Sequence, residues 1–360
     1  MNISENSHAP KISFDVWSPL FNLIQDATHI ILSTHENADG DGLGSETAMF
    51  DFLTQLGKKV EIINPTHVPE HYKFLPPVRE AIAFDAENSA HRGKLEAADL
   101  FLLLDTNHLS RTRAMAPILL SQKKNGKIKL GCIDHHLDEE DFADEMVCMS
   151  SASATGELIY NFLKYAGQRL TRDFINETTA IGLYTAIMTD TGSFRFPKTT
   201  AFVHQIIAEL IGKGADPYQI YENVYNTVSL SALKLFGLAM NSIQLAAQGK
   251  VAYVVITQEI FKQTGTTKDD TERMVQQLMA IKTIDVGILF VELNNGGTKV
   301  SLRSRGDVGV NIVAQQFGGG GHKNASGCTM SAPPQLAAEQ VLGKIDELLF
   351  QQNPKNESLL

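Results

Sequence analysis

Four short runs of apolar residues constrain the fold of this chain more than any other feature of its sequence. They cover residues 29–33, 58–64, 98–105 and 128–134. Helical stretches separate and follow them: apolar residues recur at spacings of three and four between 49 and 56, and further such stretches lie near 155–166 and 174–188. Apolar strands that alternate with helices are typical of a parallel sheet covered on both faces. The sequence therefore predicts an α/β fold built on a parallel sheet.

The length of 360 residues is typical of two domains. We predict a larger parallel-sheet domain at 12–216, a wholly helical linker at 217–249 and a smaller α/β domain at 250–350. The smaller domain has strand and helix patterns of its own, and an Asn-Asn-Gly-Gly turn joins two of its strands. These patterns predict strands at 251–257, 285–293 and 299–303 and helices at 269–281 and 335–350.

The composition excludes several classes of protein. The net charge is −10, from 31 Lys and Arg against 41 Asp and Glu, which disfavours a protein that coats long DNA or RNA. The three cysteines, Cys132, Cys148 and Cys328, form no CxxC motif and no disulfide framework, so we expect reduced thiols. The polar amino terminus and the absence of a long apolar run predict a cytoplasmic protein without a membrane segment.

Acidic residues and histidines cluster just after predicted strands and helices, where ligands bind in open α/β sheets. Taken one at a time, these clusters could also be an acidic loop, a helix cap or a chance pair of surface histidines. Glycines at 40, 42 and 44 predict tight turns that would aim the first cluster at one point. The clusters are His35, Asp39 and Asp41; Asp105; Asp134, His135 and His136; and Asp190.

Together these side chains offer more oxygen and nitrogen ligands than one ion needs. A mixed set of imidazoles and carboxylates favours Mn²⁺ or a related ion over a structural zinc, which prefers cysteines. Paired divalent ions about 3.5–4 Å apart are a recurrent arrangement for the hydrolysis of phosphate esters. We therefore expect two divalent cations, most simply Mn²⁺, as cofactors.

The order of these motifs resembles the DHH phosphoesterase superfamily. The pattern His-x-x-x-Asp-x-Asp, a strand-end Asp, Asp-His-His and a later Asp is similar to its metal motifs, and residues 317–327 resemble the GGGH motif of the DHH-associated domain. The segments that begin at Asp190 and Ser301 are most similar to the branch of nano-RNases (oligoribonucleases) and 3′-phosphoadenosine 5′-phosphate phosphatases. Ala38 and Gly42 depart from the usual motif, but neither supplies a ligand.

The resemblance implies a role for each motif residue. His35 and Asp39 would hold one ion, Asp41, His135 and Asp190 the other, and Asp105 would bridge the two. His136 would contact the scissile phosphate, and Asp134 would orient a ligand. In the smaller domain we expect substrate to bind at Arg303, Ser304, Gly319, Gly320, Gly321, His322, Ala325 and Ser326. We expect Arg195, Arg305 and Lys323 to be solvated, and we expect His108 to be either a surface histidine or one with a local hydrogen-bond partner.

The implied activity is Mn²⁺-dependent hydrolysis of short RNA or dinucleotides to mononucleotides, with 3′-phosphoadenosine 5′-phosphate as a further candidate substrate. The expected partner is a short nucleotide bound in a cleft between the domains. The sequence does not determine the oligomeric state, and a dimer is possible. The alternative within the family is a phosphodiesterase for cyclic or linear di-AMP. A pyrophosphatase is disfavoured by the GGGH motif, and a RecJ-type exonuclease by the length of the chain. A non-catalytic nucleotide or RNA sensor is disfavoured because all six ligands are present.

Overall fold

The first compact unit of the protein contains a six-stranded, wholly parallel sheet. The computed structural model describes residues 14–271 and 274–351, and the chain divides into two units between Thr227 and Val228. The strand order in the first sheet is β3-β2-β1-β4-β5-β6. The strands are β1 (His29–Ser33), β2 (Lys59–Asn64), β3 (Ile82–Ala83), β4 (Leu100–Leu104), β5 (Lys129–Asp134) and β6 (Glu145–Cys148).

The four strands predicted from apolar runs are confirmed as β1, β2, β4 and β5. The sequence did not reveal the two edge strands. β3 has only two residues, both half-buried, and in β6 only Val147 is buried. An edge strand packs against fewer neighbours, so it lacks the continuous apolar run that marks a central strand.

Helices cover both faces of this sheet and enclose two apolar cores. One core contains a cluster of edge-to-face aromatic rings, in which Phe162 contacts Trp17 and Phe52. The helices are α1 (Ser18–Asp26), α2 (Gly40–Gln55), α3 (Pro76–Arg79), α4 (Ser89–Ala97), α5 (Met115–Lys124), α6 (Thr155–Leu170), α7 (Glu177–Asp190), α8 (Ala201–Gly212) and α9 (Pro217–Tyr225).

Close packing of α2 against α7 explains the glycines of the first motif. The prediction that these glycines form tight turns is wrong, because Gly40, Gly42 and Gly44 all lie inside α2. A Cβ atom at Gly44 would lie 2.8 Å from the backbone nitrogen of Ala186 and closer still to the carbonyl oxygen of Gly182. A Cβ atom at Gly40 would collide with Thr189. The missing side chains therefore let the start of α2 lie against the end of α7.

The second unit contains a mixed six-stranded sheet with the order β11-β12-β10-β9-β8-β7, in which only the β8–β9 pair is parallel. Its elements are α10 (Leu230–Asn241), β7 (Gln244–Ala246), β8 (Val251–Ile256), α11 (Gln258–Thr264), α12 (Met274–Leu278), β9 (Val286–Glu292), β10 (Thr298–Ser304), α13 (Val310–Gln316), β11 (Gly320–His322), β12 (Ala325–Met330) and α14 (Pro334–Gln351). A parallel sheet followed by a second, smaller α/β unit confirms the predicted fold class.

Two details of the second unit differ from the sequence prediction. The segment 217–249 is not wholly helical, because β7 pairs antiparallel with β8, and the segment is divided between the two units. The helix predicted at 269–281 is represented by a short 3-10 helix at Lys268–Thr271 and by α12, while residues 272 and 273 lie outside the described residues. Within the described ranges, no helix has the length and apolar character needed to cross a membrane.

Candidate metal centre

The candidate ligands meet at the carboxyl edge of the parallel sheet. The order β3-β2-β1-β4-β5-β6 reverses direction between β1 and β4, and ligands bind outside the strand ends at such a switch point. His35 follows β1, Asp105 follows β4 and His135 follows β5. The cap residue and the first turn of α2 add Asp39 and Asp41, and the last residue of α7 is Asp190. All six predicted metal ligands are therefore brought to one place.

The first group of potential ligand atoms comes from His35, Asp39 and Asp105. Nε2 of His35 lies 3.9 Å from Oδ1 of Asp39 and 3.6 Å from Oδ2 of Asp105. Nδ1 of His35 lies 2.8 Å from the carbonyl oxygen of Glu36, which orients the ring and leaves Nε2 for an ion. Asp39 also caps α2, since its Oδ1 accepts from the backbone N–H of Asp41 at 3.0 Å.

The second group comes from Asp41, His135 and Asp190. Nε2 of His135 lies 3.6 Å from Oδ2 of Asp41 and 3.4 Å from Oδ2 of Asp190. Nε2 forms no hydrogen bond with either oxygen and has no hydrogen-bond partner among the described residues. A buried imidazole nitrogen that faces carboxylate oxygens without bonding to them is suited to binding a cation between them.

Asp105 lies between the two groups. Its Oδ2 atom is 3.6 Å from Nε2 of His35, and its Oδ1 atom is 3.6 Å from Nε2 of His135. The backbone at Asp105 is left-handed, with φ of 61°. That conformation is unfavourable for a residue other than glycine and is concentrated at functional sites. The geometry matches a carboxylate that presents one oxygen to each group.

The electrostatics of these residues favour bound cations. Burial, with repulsion from Asp105 and Asp190, raises the pKa of Asp41 well above its ordinary range. Burial and neighbouring carboxylates likewise raise the pKa of Asp105, and they raise the pKa of Asp190 to about 6. Burial, reinforced by His136, lowers the pKa of His135 to about 4, so the imidazole is neutral. A bound cation would relieve this repulsion and keep the carboxylates ionised, and the neutral imidazole of His135 can bind it as well, so these residues fit a metal centre.

His136 and Asp134 form a pair beside the ligands. The side chain of His136 is half-exposed, and its Nδ1 atom lies 2.8 Å from Oδ1 of the buried Asp134. Asp134 therefore contacts His136, the residue expected to touch the phosphate. We predicted instead that Asp134 would orient a metal ligand. Asn107 supports the same loop, since its side-chain amide donates to the carbonyl oxygens of His136 and Leu137, both at 3.2 Å.

Comparison with known proteins agrees with this geometry. Residues 29–187 match the DHH family, N-terminal domain, and residues 248–350 match the DHHA1 domain. The crystal structure of an exopolyphosphatase-related protein from Bacteroides fragilis is 30% identical, with a TM-score of 0.86, and the match covers 95% of this chain and 100% of that one. The chain belongs to the DHH family. The resemblance of its motifs to that family is thereby confirmed.

Several curated relatives of this DHH protein carry the name bifunctional oligoribonuclease and PAP phosphatase NrnA. The protein of that name from Bacillus subtilis is 28% identical over 322 residues, which are 89% of this chain and 94% of the relative. The one from Thermus thermophilus is 28% identical over 322 residues and is covered to 90%. The chain thus spans nearly the whole length of both relatives.

The second unit, which contains the DHHA1 domain, has a sheet face lined by small residues around one arginine. Residues directly opposite each other on neighbouring strands share a face. Arg303 pairs with Ala325, which pairs with His322, and Ser301 pairs with Gly327, which pairs with Gly320. We call the face that carries these positions the Arg303 face. The side chain of His322 lies outside the described residues.

Arg303 is a cation on this face. Its side chain is half-buried, and Nη1 donates to its neighbouring carbonyl at Leu302 at 3.0 Å. Among the described residues no carboxylate forms a salt bridge with it, and burial lowers its pKa from the ordinary value. An arginine that is partly desolvated and lacks a carboxylate partner is well suited to bind phosphate.

Other residues predicted to bind substrate lie on the opposite face of the sheet. Ser326 pairs with Leu302, whose side chain is buried in the core, and Gly321 pairs with Ser326. The hydroxyl group of Ser304 donates to the carbonyl oxygen of Val308 at 2.6 Å and accepts from Asn324 at 2.9 Å. These contacts favour a structural role for Ser304.

Part of the glycine run forms an edge strand. Gly320 and Gly321 belong to the edge strand β11, and Gly321 has φ of 131°. Gly319 lies so close to β12 that a Cβ atom there would collide with the carbonyl oxygen of Gly327 and with Cys328. Glycines are needed here because the two backbones approach closely. The outer edge of β11 has N–H groups that pair with no other strand in the described sheet.

Arg195, Arg305 and Lys323 have exposed side chains, and each also has a local partner. Lys323 forms a salt bridge with Asp307 at 2.7 Å, and Arg305 donates to the carbonyl oxygen of Lys282 at 3.2 Å. Nε of Arg195 donates to the carbonyl oxygen of Gly192 at 2.7 Å. His108 lies 3.8 Å from the carboxylate of Glu140.

Thr155, Gly156 and Asn107 contact the candidate centre but were not singled out in the sequence. Thr155 and Gly156 begin α6, whose cap residue Ala154 has no side chain able to accept a hydrogen bond. When a buried helix start lacks a Ser, Thr, Asp or Asn cap, its first N–H groups can bond to an acceptor from elsewhere in the chain. The alanine at this position was the signal that could have pointed to a distant carboxylate.

Proposed function

We propose that this protein is a two-metal phosphoesterase that uses Mn²⁺ to hydrolyse short oligoribonucleotides to mononucleotides and 3′-phosphoadenosine 5′-phosphate to AMP. The observation that carries the proposal is the position of Asp105, whose two oxygens lie 3.6 Å from Nε2 of His35 and of His135. The two groups of ligand atoms on either side of Asp105 support two ions rather than one. The relatives named oligoribonuclease and PAP phosphatase support the substrates.

In this proposal His35 and Asp39 hold one ion, Asp41, His135 and Asp190 hold the other, and Asp105 contacts both. Bound divalent ions would supply a nucleophile at neutral pH and would neutralise negative charge that develops on the phosphate. The donor set contains imidazole and carboxylate groups and no thiolate, which supports Mn²⁺ over a structural zinc.

The remaining residues bind and orient the substrate. His136 contacts the scissile phosphate through Nε2, because Nδ1 is engaged by Asp134 at 2.8 Å. The buried carboxylate of Asp134 favours a proton on Nδ1 and fixes the orientation of the ring. Arg303 binds a phosphate group, and the small residues of the Arg303 face leave room for the rest of the nucleotide. The net charge of −10 supports a short substrate, because long polyanions are repelled.

The test is a Mn²⁺-dependent hydrolysis assay across a small panel of phosphate esters. The panel contains a linear diribonucleotide, a longer RNA, 3′-phosphoadenosine 5′-phosphate, cyclic di-AMP and pyrophosphate. We expect turnover of the diribonucleotide and of 3′-phosphoadenosine 5′-phosphate. Hydrolysis of cyclic di-AMP or pyrophosphate in preference to both would overturn the assigned substrates.

Substitutions of candidate ligands test the metal assignment in the same assay. We expect Asp105→Ala and His135→Ala to abolish hydrolysis while the far-UV circular dichroism spectrum, which reports the secondary structure, stays unchanged. His108→Ala is the matched control, because His108 lies near Asp105 in the chain and contacts Glu140 instead of a candidate ligand. Near-normal activity of Asp105→Ala or His135→Ala would remove the two-ion centre.

A further inference from the structure

Thr155 contacts two of the candidate ligands at once. It is the first residue of α6 and is fully buried. Its backbone N–H donates to Oδ2 of Asp41 at 2.7 Å, and its hydroxyl group donates to Oδ1 of Asp105 at 3.0 Å. The next residue, Gly156, donates its N–H to Oδ1 of Asp41 at 2.9 Å. One helix start therefore bonds to a carboxylate from each of two distant segments.

The contact with Asp41 follows from the way α6 begins. The first N–H groups of a helix have no partner inside the helix, and Ala154 cannot accept from them. Asp41 fills that role from α2, and its negative charge lies at the positive end of the helix dipole. These bonds hold the Asp41 carboxylate without involving the side chain of Thr155.

The contact with Asp105 depends on the hydroxyl group of Thr155. A carboxylate turns easily about its last side-chain torsion, which is broad and about two-fold. The hydroxyl group donates to Oδ1, the oxygen that faces His135, and so leaves Oδ2 towards His35. The orientation in which Asp105 presents one oxygen to each group therefore has a defined hydrogen-bond donor.

We propose that Thr155 is a positioning residue whose hydroxyl group sets the Asp105 carboxylate as a bridge between the two ligand groups. This inference rests on the two-ion centre proposed above. Thr155 does not contact substrate in this proposal, and it acts only through Asp105. Loss of its hydroxyl group should therefore weaken the binding of one ion, and it should destabilise the fold no more than the loss of another buried hydroxyl group does.

Three variants separate positioning from a merely structural role. Thr155→Val removes the hydroxyl group and keeps the shape of the side chain, while Thr155→Ser restores the donor. Thr179→Val is the matched control, because Thr179 is also fully buried and its hydroxyl group donates to a carboxylate, that of Asp51, at 2.8 Å. Asp51 belongs to no candidate metal group.

The experiment titrates metal-free protein with Mn²⁺ by calorimetry, records the electron paramagnetic resonance spectrum of the loaded protein and measures thermal unfolding without metal. We expect the unsubstituted protein, Thr155→Ser and Thr179→Val to bind two ions with a spin-coupled spectrum. Thr155→Val should bind one of the ions at least about tenfold more weakly and lose the coupled spectrum. Its metal-free unfolding temperature should fall no further than that of Thr179→Val.

Two results would overturn the positioning role. In one, Thr155→Val binds both ions as tightly as the unsubstituted protein does. In the other, Thr179→Val loses metal affinity to the same extent, which would mean that the effect comes from general loosening of the fold. If the unsubstituted protein itself binds no pair of ions, the proposed function fails as well, and the titration of that protein alone distinguishes this case.

Discussion

Glu46 offers a test of the structure that is independent of catalysis. It lies in α2 with no exposed surface, and its Oε2 atom accepts from the side-chain amide of Asn64 at 3.0 Å. Asn64 in turn accepts from the backbone N–H of Thr34, next to the candidate ligand His35. Oε1 of Glu46 has no hydrogen-bond partner among the described residues. Burial, partly offset by the bond from Asn64, raises the pKa of Glu46 from 4.5 to about 8.

This raised pKa makes the stability of the first unit depend on pH. Below the unfolded pKa the acid is protonated in both states, and its contribution to stability is fully present. As the pH rises towards the folded pKa, the unfolded state loses its proton first, so that contribution is lost. Each pH unit between the two pKa values is worth about 1.4 kcal/mol. From about pH 5 to about pH 8 the loss comes to about 3.5 kcal/mol, slightly less than three full units because the acid titrates only in part near each pKa.

The perturbation is Glu46→Gln, which resembles the protonated acid and cannot ionise. The assay is urea unfolding in a chelator, followed by the fluorescence of Trp17, the single tryptophan of the chain, which is buried in the first unit. We expect the free energy of unfolding of the variant, relative to the unsubstituted protein, to rise by about 3.5 kcal/mol between about pH 5 and about pH 8. Other titrating carboxylates cancel, because they are present in both proteins.

The control is Glu96→Gln, the same change at an exposed position of α4. We expect it to alter the free energy of unfolding by less than about 0.5 kcal/mol at either pH. If the difference between Glu46→Gln and the unsubstituted protein stays constant within about 1 kcal/mol across this pH range, the reasoning is refuted, because Glu46 would then ionise as an exposed acid does.

Two further predictions address packing and substrate binding. Gly44→Ala should lower the free energy of unfolding by more than about 2 kcal/mol, because the new Cβ atom meets the backbone of α7. The control is Gly93→Ala in α4, where a Cβ atom has open space and should change the free energy of unfolding by no more than about 1 kcal/mol. Equal effects of the two substitutions in urea unfolding would argue against the close contact of α2 with α7. Arg303→Ala should raise KM for a diribonucleotide at least about tenfold, since a lost phosphate contact costs roughly 1.5 kcal/mol or more. Calorimetry should still find the same number of bound Mn²⁺ ions in this variant. Arg305→Ala is the control, and an unchanged KM for Arg303→Ala would remove Arg303 from the substrate site.

Much of the first unit could be predicted because its signals are local. Central parallel strands are buried on both faces, so each one is visible as an apolar run, and the residue after each run lies at the carboxyl edge. The apolar runs therefore suffice to place His35, Asp105 and His135 together. The edge strands β3 and β6 are not visible in this way, because they are short and only partly buried.

The second unit was predicted less completely. Its β9–β10 hairpin was recognised from an Asn-Gly turn between two strand patterns. The strand at Gly320 was not recognised, because glycine has low strand propensity and its presence here reflects the close approach of β12. The structural role of Ser304 depends on contacts with Val308 and Asn324, which no local pattern indicates.

The fold class, the family and the chemical nature of the candidate ligands follow from the order of amino acids alone, because strand burial and motif order are encoded in neighbouring residues. The packing of distant segments sets which oxygen of Asp105 faces which histidine, and it brings Thr155 from another helix to hold that carboxylate. It also makes Glu46 a buried acid behind the site. These contacts join segments far apart in the chain, and their geometry depends on how whole helices pack, which no local pattern of residues specifies.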